Sequence, residues 1–172
     1  MRNQNNRKEM INPRQIKFCV RALLVTAVVF VSCGRRPEYN EFIPVDSQSW
    51  SADSSCVFTL DVKDSVTRYD LLISIRHTSA YPYQNLWLFI EQLSPDSLIT
   101  RDTIACTLAD HTGRWIGTGT GTVYLLPVPF KQQFRFSKPG VYQYSITHGM
   151  RDKGLKGINA IGLKSENRHG KK

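Results

Sequence analysis

Cys56-Val-Phe-Thr-Leu-Asp-Val62 decides the fold: Phe58, Leu60 and Val62 fall on one side of an extended chain, while Thr59, Asp61 and the following Lys63 fall on the other. A period of two is the mark of a strand with one buried face. Leu71, Ile73 and Ile75 repeat the pattern against Asp70, Ser74 and Arg76. The run Leu86-Trp-Leu-Phe-Ile-Glu-Gln-Leu93 that follows is too continuous to leave one face wet, so it reads as a central strand covered on both faces and places Trp87 in the core. Further strands are expected over 102–108, 128–136, 141–148 and 160–164. The breaks between them carry turn chemistry: Tyr-Pro-Tyr-Gln-Asn at 81–85, Ser-Pro-Asp-Ser at 94–97, Asp-His-Thr-Gly at 110–113 and Lys-Pro-Gly at 138–140. No stretch keeps helical spacing for three turns. Seven or eight short strands so spaced predict an all-β chain, a single antiparallel β-sandwich of jelly-roll or immunoglobulin-like type.

Upstream of the strands the composition changes. Arg14, Lys17 and Arg21 form a cationic flank, and Ala22 to Val31 is an apolar run broken by Thr26, ending at Val31-Ser32-Cys33. Ten apolar residues fall well short of the roughly 20 that span a bilayer, so residues 1–32 read as a signal peptide, with Met10 as an alternative start. Phe30-Val-Ser-Cys33 resembles the lipobox of bacterial lipoproteins, with Phe30 where Leu is usual. Cys33 is therefore the expected lipidation site; a diacylglycerol thioether with an added N-acyl chain anchors stably, which one chain does not. Residues 33–50 read as the lipidated N-terminus and tether, 51–165 as the sandwich, and 166–172 as a basic tail.

The formal charge of +9 overstates the charge of the domain. From Cys33 onward there are 17 Lys+Arg against 13 Asp+Glu, and 7 of those bases with 2 of the acids lie from Arg151 on. The globular part is close to neutral. No basic stripe is interleaved with stacking aromatics, so a nucleic-acid partner is excluded. The tail reads as a solvated end, with attraction to anionic lipid or an acidic partner as the alternative.

Of four cysteines, Cys19 leaves with the signal peptide and Cys33 takes lipid, leaving Cys56 and Cys106. In an oxidising compartment they form either a disulfide or two separate buried thiols. Catalytic signatures are missing: there is no Gly-x-Ser-x-Gly, no His-Glu-x-x-His and no paired-Cys metal spacing, and His77, His111, His148 and His169 are scattered. No enzyme activity, metal or cofactor is implied. His148, in line with Tyr142, Tyr144 and Ile146, reads as a hydrogen-bonded core residue. The alternating glycines of Trp115-Ile-Gly117-Thr-Gly119-Thr-Gly121 leave one strand face bare. That face admits another backbone, the ring of Trp115, or a ligand.

Together the motifs resemble a known family, the gliding-motility lipoprotein GldH of the Bacteroidetes. The likeness runs through Tyr81-Pro82-Tyr-Gln-Asn85-Leu-Trp-Leu-Phe-Ile-Glu91, then Asp110-x-x-Gly113-Arg-Trp115-x-Gly117-x-Gly119-x-Gly121. It continues through Phe134-x-Phe-x-x-Pro-Gly140-Val-Tyr142 and Ile146-x-His-x-Met150-Arg151, and closes with Leu155-Lys-Gly157-Ile-Asn-Ala-Ile-Gly162-Leu163. The resemblance implies an envelope lipoprotein of the gliding machinery, linked to type IX secretion, and no known catalytic residue. Surface lipoproteins of this phylum tend to carry acidic residues just after the lipidated cysteine. Here Gly34-Arg35-Arg36 is basic and no Asp follows Cys33, which predicts an outer-membrane anchor with the domain facing the periplasm. Two functions follow as expectations: a non-enzymatic component working through protein contacts, or a glycan-binding or general envelope-maintenance sandwich in which Trp87, Trp115 and nearby tyrosines stack on sugars. Trp87 in the core speaks against the glycan reading.

Overall fold

The computed structural model describes residues 38–167. Residues 1–37, which include the expected signal peptide and Cys33, and residues 168–172 of the expected tail lie outside the described residues. Eleven strands follow one another: β1 (Tyr39–Pro44), β2 (Trp50–Ser51), β3 (Cys56–Val62), β4 (Tyr69–Thr78), β5 (Asn85–Leu93), β6 (Ile99–Thr107), β7 (Thr118–Thr120), β8 (Val123–Phe134), β9 (Gly140–His148), β10 (Gly154–Leu155) and β11 (Ile158–Asn167). All seven strands expected from alternation are present.

One sheet has the order β1-β11-β4-β8-β7 and the other β3-β9-β5-β6, with β10-β2 as a small third pair. Every pairing is antiparallel. Setting aside the short β2, β7 and β10, the eight remaining strands in chain order lie as 1-8-3-6 facing 2-7-4-5. That order is the jelly roll, two interleaved Greek keys, and it decides between the two sandwich types expected.

Strand β1 corrects the tether. Residues 39–44, assigned above to the linker, form the outer strand of the larger sheet, paired from Tyr39↔Ser165 to Pro44↔Ala160. Its Phe42 lies over Gly162, where a Cβ would come within 2.7 Å of the ring, and the Arg76 guanidinium sits 4.9 Å above that ring. Gly162 is thus the space that Phe42 needs.

The core lies between the sheets. Phe58, Leu60, Leu88, Ile90, Tyr144 and Ile146 come from the four-stranded sheet, and Leu71, Ile73, Ile75, Ile161 and Leu163 from the other. Each such side chain, fully buried, contributes about 1.5–3 kcal/mol. At one side the Lys131 Nζ of β8 reaches Asp102 of β6 at 3.1 Å and sits over the rings of Phe130 and Phe134. At the entry to β9, Tyr142 donates its hydroxyl proton to the Lys138 carbonyl at 2.9 Å, pinning the corner. Gly140 just before it has φ +132, and a Cβ there would come within 2.8 Å of Pro95.

The two cysteines stay apart. Both are free, buried thiols, and β9 and β5 stand between β3 and β6. Three strand spacings come to about 14 Å, twice what a disulfide can bridge. Of the two readings, separate buried thiols is the one the structure has. Burial pushes Cys56 up to about 11 and Cys106 up to about 12.

Candidate functional site

Strand polarity sorts the molecule into two ends. Tyr39, at the start of β1, pairs with Ser165 near the end of β11, and the same end holds the loops 63–68, 94–98 and 135–139. The opposite end collects 45–55, 79–84, 108–117 and 149–157, about 30 Å away along the nine residues of β5. Pro82, Asn85, Asp110, Gly113, Trp115, Gly117, Gly119, Gly121, Met150, Arg151 and Gly157 all fall at this far end, whereas Gly140 and Tyr142 sit at the other. Two aromatic clusters are built there.

The first is closed. His77 of β4 is fully buried; its Nδ1–H donates to the Thr78 carbonyl at 3.2 Å, and its Nε2 has no partner. Trp115 lies 4.7 Å from the imidazole, Tyr124 stacks at 5.4 Å and Tyr81 stands at 6.3 Å. Burial holds this imidazole below its ordinary value. A turn positions Trp115: the Asp110 carboxylate accepts from the Thr112 hydroxyl at 2.6 Å and from the backbone N–H groups of Thr112 and Arg114. Those bonds hold the carboxyl below its ordinary range, the Thr112 hydroxyl first among them. Gly113 completes the turn at φ +83. Gly117 and Gly119 press against the backbone of β8, where a Cβ would meet Leu125 O at 2.9 Å and Val123 O at 2.1 Å. Of the approaches the bare face could admit, it is another backbone that takes it. Gly157, at φ +81, lies equally close to the backbone of Tyr81.

The second cluster is open, and it overturns the placement of Trp87. Strand β5 alternates, with Leu86, Leu88 and Ile90 inward and Asn85, Trp87 and Phe89 outward. Trp87 is 43% exposed and Phe89 50%. An antiparallel sheet of this kind has a solvent face, so a continuous apolar run here supplies core with one half and surface with the other. The chain leaving β9 is fixed to Trp87: Gly149 N–H donates to its carbonyl at 2.7 Å, and the Met150 sulfur accepts its N–H at 3.4 Å. Gly149 lets the Phe89 ring lie flat, since a Cβ would come within 2.7 Å of it. Tyr83 donates to the Asp152 carboxylate at 2.5 Å. These residues, with Asn85 and Arg151, line a cavity of about 480 Å³. A second hollow of about 540 Å³ shares Phe89 as a wall and is polar, with Ser145, Thr147, Thr103 and the Arg101–Glu91 ion pair at 2.9 Å. The exposed Trp87 and Phe89 are what the sequence reading missed; the polar residues interleaved on the partner strands carry the signal, because a strand beside half-polar neighbours has an open face.

His148 is a core residue as expected, with Nε2–H donating to the Trp50 carbonyl at 3.1 Å and its ring edge-on to Trp50 at 5.0 Å.

The family profile described as GldH lipoprotein matches residues 38–164, nearly the whole described chain. The chain belongs to the GldH lipoprotein family. It is 33% identical over 156 residues to the gliding motility lipoprotein GldH homolog of Christiangramia forsetii, covering 87% of this chain and 95% of that protein. It is 28% identical over 151 residues to the gliding motility lipoprotein GldH of Flavobacterium johnsoniae, covering 84% and 93%. Among solved structures, the infectious bursal disease virus VP2 subviral particle aligns over 78% of this chain and 34% of its own at 14% identity, with a TM-score of 0.35, too low to carry an argument. The family match spans both aromatic clusters and the glycines that shape them.

Proposed function

We propose that the protein is a non-enzymatic, lipid-anchored component of the gliding machinery and its associated type IX secretion, acting through protein contacts. The observation that carries this reading is the family match over residues 38–164, with relatives named as gliding motility lipoproteins. Cys33 is the lipidated residue in this reading, five residues before the first described one. The anchor is in the outer membrane, with the domain on the periplasmic side; protease shaving of intact cells leaves the domain in place, and its removal would contradict that orientation.

Strand β6 is the contact surface that the fold favours. It ends the four-stranded sheet, pairs on one side with β5, and carries a row of unpaired backbone groups that a partner strand can extend. The other edges are less available: β7 is three residues long, the part of β8 beyond it is blunted by Pro127 and Pro129, and β1 and β3 touch each other. The test is crosslinking in living cells that carry an affinity-tagged copy at the native locus, followed by identification of what copurifies from solubilised envelope. Recovery of gliding or type IX secretion components is the expected result; clean recovery of the protein without them contradicts it.

A further inference from the structure

We propose that the outer face of the four-stranded sheet is a glycan-binding cleft, in which Trp87 and Phe89 stack on sugar rings while Asn85, Arg151 and Asp152 hydrogen-bond their hydroxyls. The inference goes beyond the contact role assigned to the backbone edge of β6 and concerns the side-chain face of the sheet, which that edge borders at Thr103.

Aromatic rings that lie open on a rigid strand offer flat apolar faces to the C–H side of a sugar ring. Phe89 is held flat by Gly149, and Trp87 is fixed through its backbone to residues 149 and 150. The polar groups at this end are side chains with capacity to spare. Arg151 has no ion pair among the described residues, and one oxygen of the Asp152 carboxylate accepts the hydrogen bond of the Tyr83 hydroxyl while the other is left over. One cation and one anion side by side suit a ligand that is neutral and rich in hydroxyls.

Size and extent agree. A cavity of about 480 Å³ lies within the range of about 300–1,000 Å³ typical of ligand sites. Phe89 is also a wall of the hollow bearing the hydroxyls of Ser145, Thr147 and Thr103, so sugars on either side of that ring would meet apolar and hydroxyl-bearing walls. A peptide could not add here as a strand. Strands β5 and β9 are interior, and their backbone groups are taken by β3, β6 and each other. Recognition on this face must come from side chains.

Two envelope sources share this chemistry, the cell-wall glycan and the surface polysaccharide. The test uses the full-length lipidated protein in a sugar-free polyoxyethylene detergent, with protein-free peptidoglycan sacculi in one arm and delipidated polysaccharide from the same cells in the other. Saturable retention is expected in one of the arms. Trp87→Ala should weaken it roughly tenfold or more and Arg151→Ala by a smaller factor of about three, while Asn40→Ala, exposed on β1 of the other sheet, leaves it unchanged. Thermal unfolding of each variant separates lost binding from lost fold, and Arg151→Ala, on an exposed loop, keeps the test alive should Trp87→Ala not fold. Retention in neither arm, or retention unchanged in both variants, overturns the proposal. A protein adduct from a photo-crosslinker at Asn85, together with no glycan retention, overturns it in favour of a protein occupant.

Discussion

The two aromatic clusters at the far end use the same residue types to opposite effect. Around His77, the rings of Trp115, Tyr124 and Tyr81 close on one another and on a buried imidazole. Around Trp87, the rings face solvent and the polar groups beside them keep free donors and acceptors. Backbone made the difference. Glycines 117 and 119 let the segment after Trp115 lie close on β8, the strand that carries Tyr124, so both rings are held against His77, whereas Trp87 and Phe89 stay open to solvent. A ring that is covered belongs to stability, and a ring held rigid but uncovered is available to a ligand.

The sharpest way to break this comparison is at Gly119. A Cβ there would stand 2.1 Å from the Val123 carbonyl, so Gly119→Ala should cost about 3 kcal/mol or more in urea unfolding as the hairpin shifts. The next effect separates the two tryptophans. Trp115→Ala removes a ring packed on His77 and should cost about 2–3 kcal/mol, and Trp87→Ala about 1 kcal/mol or less, because much of its ring is already in water. Equal losses would erase the distinction between a covered and an open cluster.

Acid sharpens it further. The imidazoles of His77 and His148 are held below the ordinary 6.5, chiefly by burial. The unfolded chain therefore takes up protons near 6.5 that the folded chain refuses, so stability is complete above that pH and falls as pH drops below it. His77→Phe should flatten part of this slope in unfolding measured from pH 7.5 to 5, whereas Trp87→Ala leaves it as it was. The thiols give a kinetic counterpart: with Cys56 and Cys106 pushed up to about 11 and about 12, neither should react with iodoacetamide at pH 8 until the chain unfolds. The smallest effect is at the Arg101–Glu91 pair in the polar hollow, where Arg101→Ala should change stability by about 0.5 kcal/mol or less.

Much of the fold was legible because alternation is a local property. Phe58-x-Leu60-x-Val62 and Leu71-x-Ile73-x-Ile75 announce their buried faces, and the turns between the strands announce themselves through Pro, Gly and Asp. Strand β1 was hidden for a physical reason: it is an edge strand whose Tyr-Asn-Glu-Phe-Ile-Pro has no alternation, and its large ring lies outward over Gly162. Trp87 was misplaced because an unbroken apolar run reads as doubly buried, when only its even-numbered residues face the core. The cysteines could not be sorted from spacing, since what separates them is the strand order β3-β9-β5-β6. Nor could spacing reveal that motifs at 81–85, 110–121 and 149–157 meet at one end, which depends on how the two Greek keys interleave.

The most direct test of the contact role is site-specific photo-crosslinking in living cells, with the probe placed in turn at Thr100, exposed on the open edge of β6, and at Thr59 on β3. The account predicts adducts with gliding or type IX secretion proteins from Thr100 and none from Thr59. Adducts from Thr59 alone, or from neither position, would contradict it.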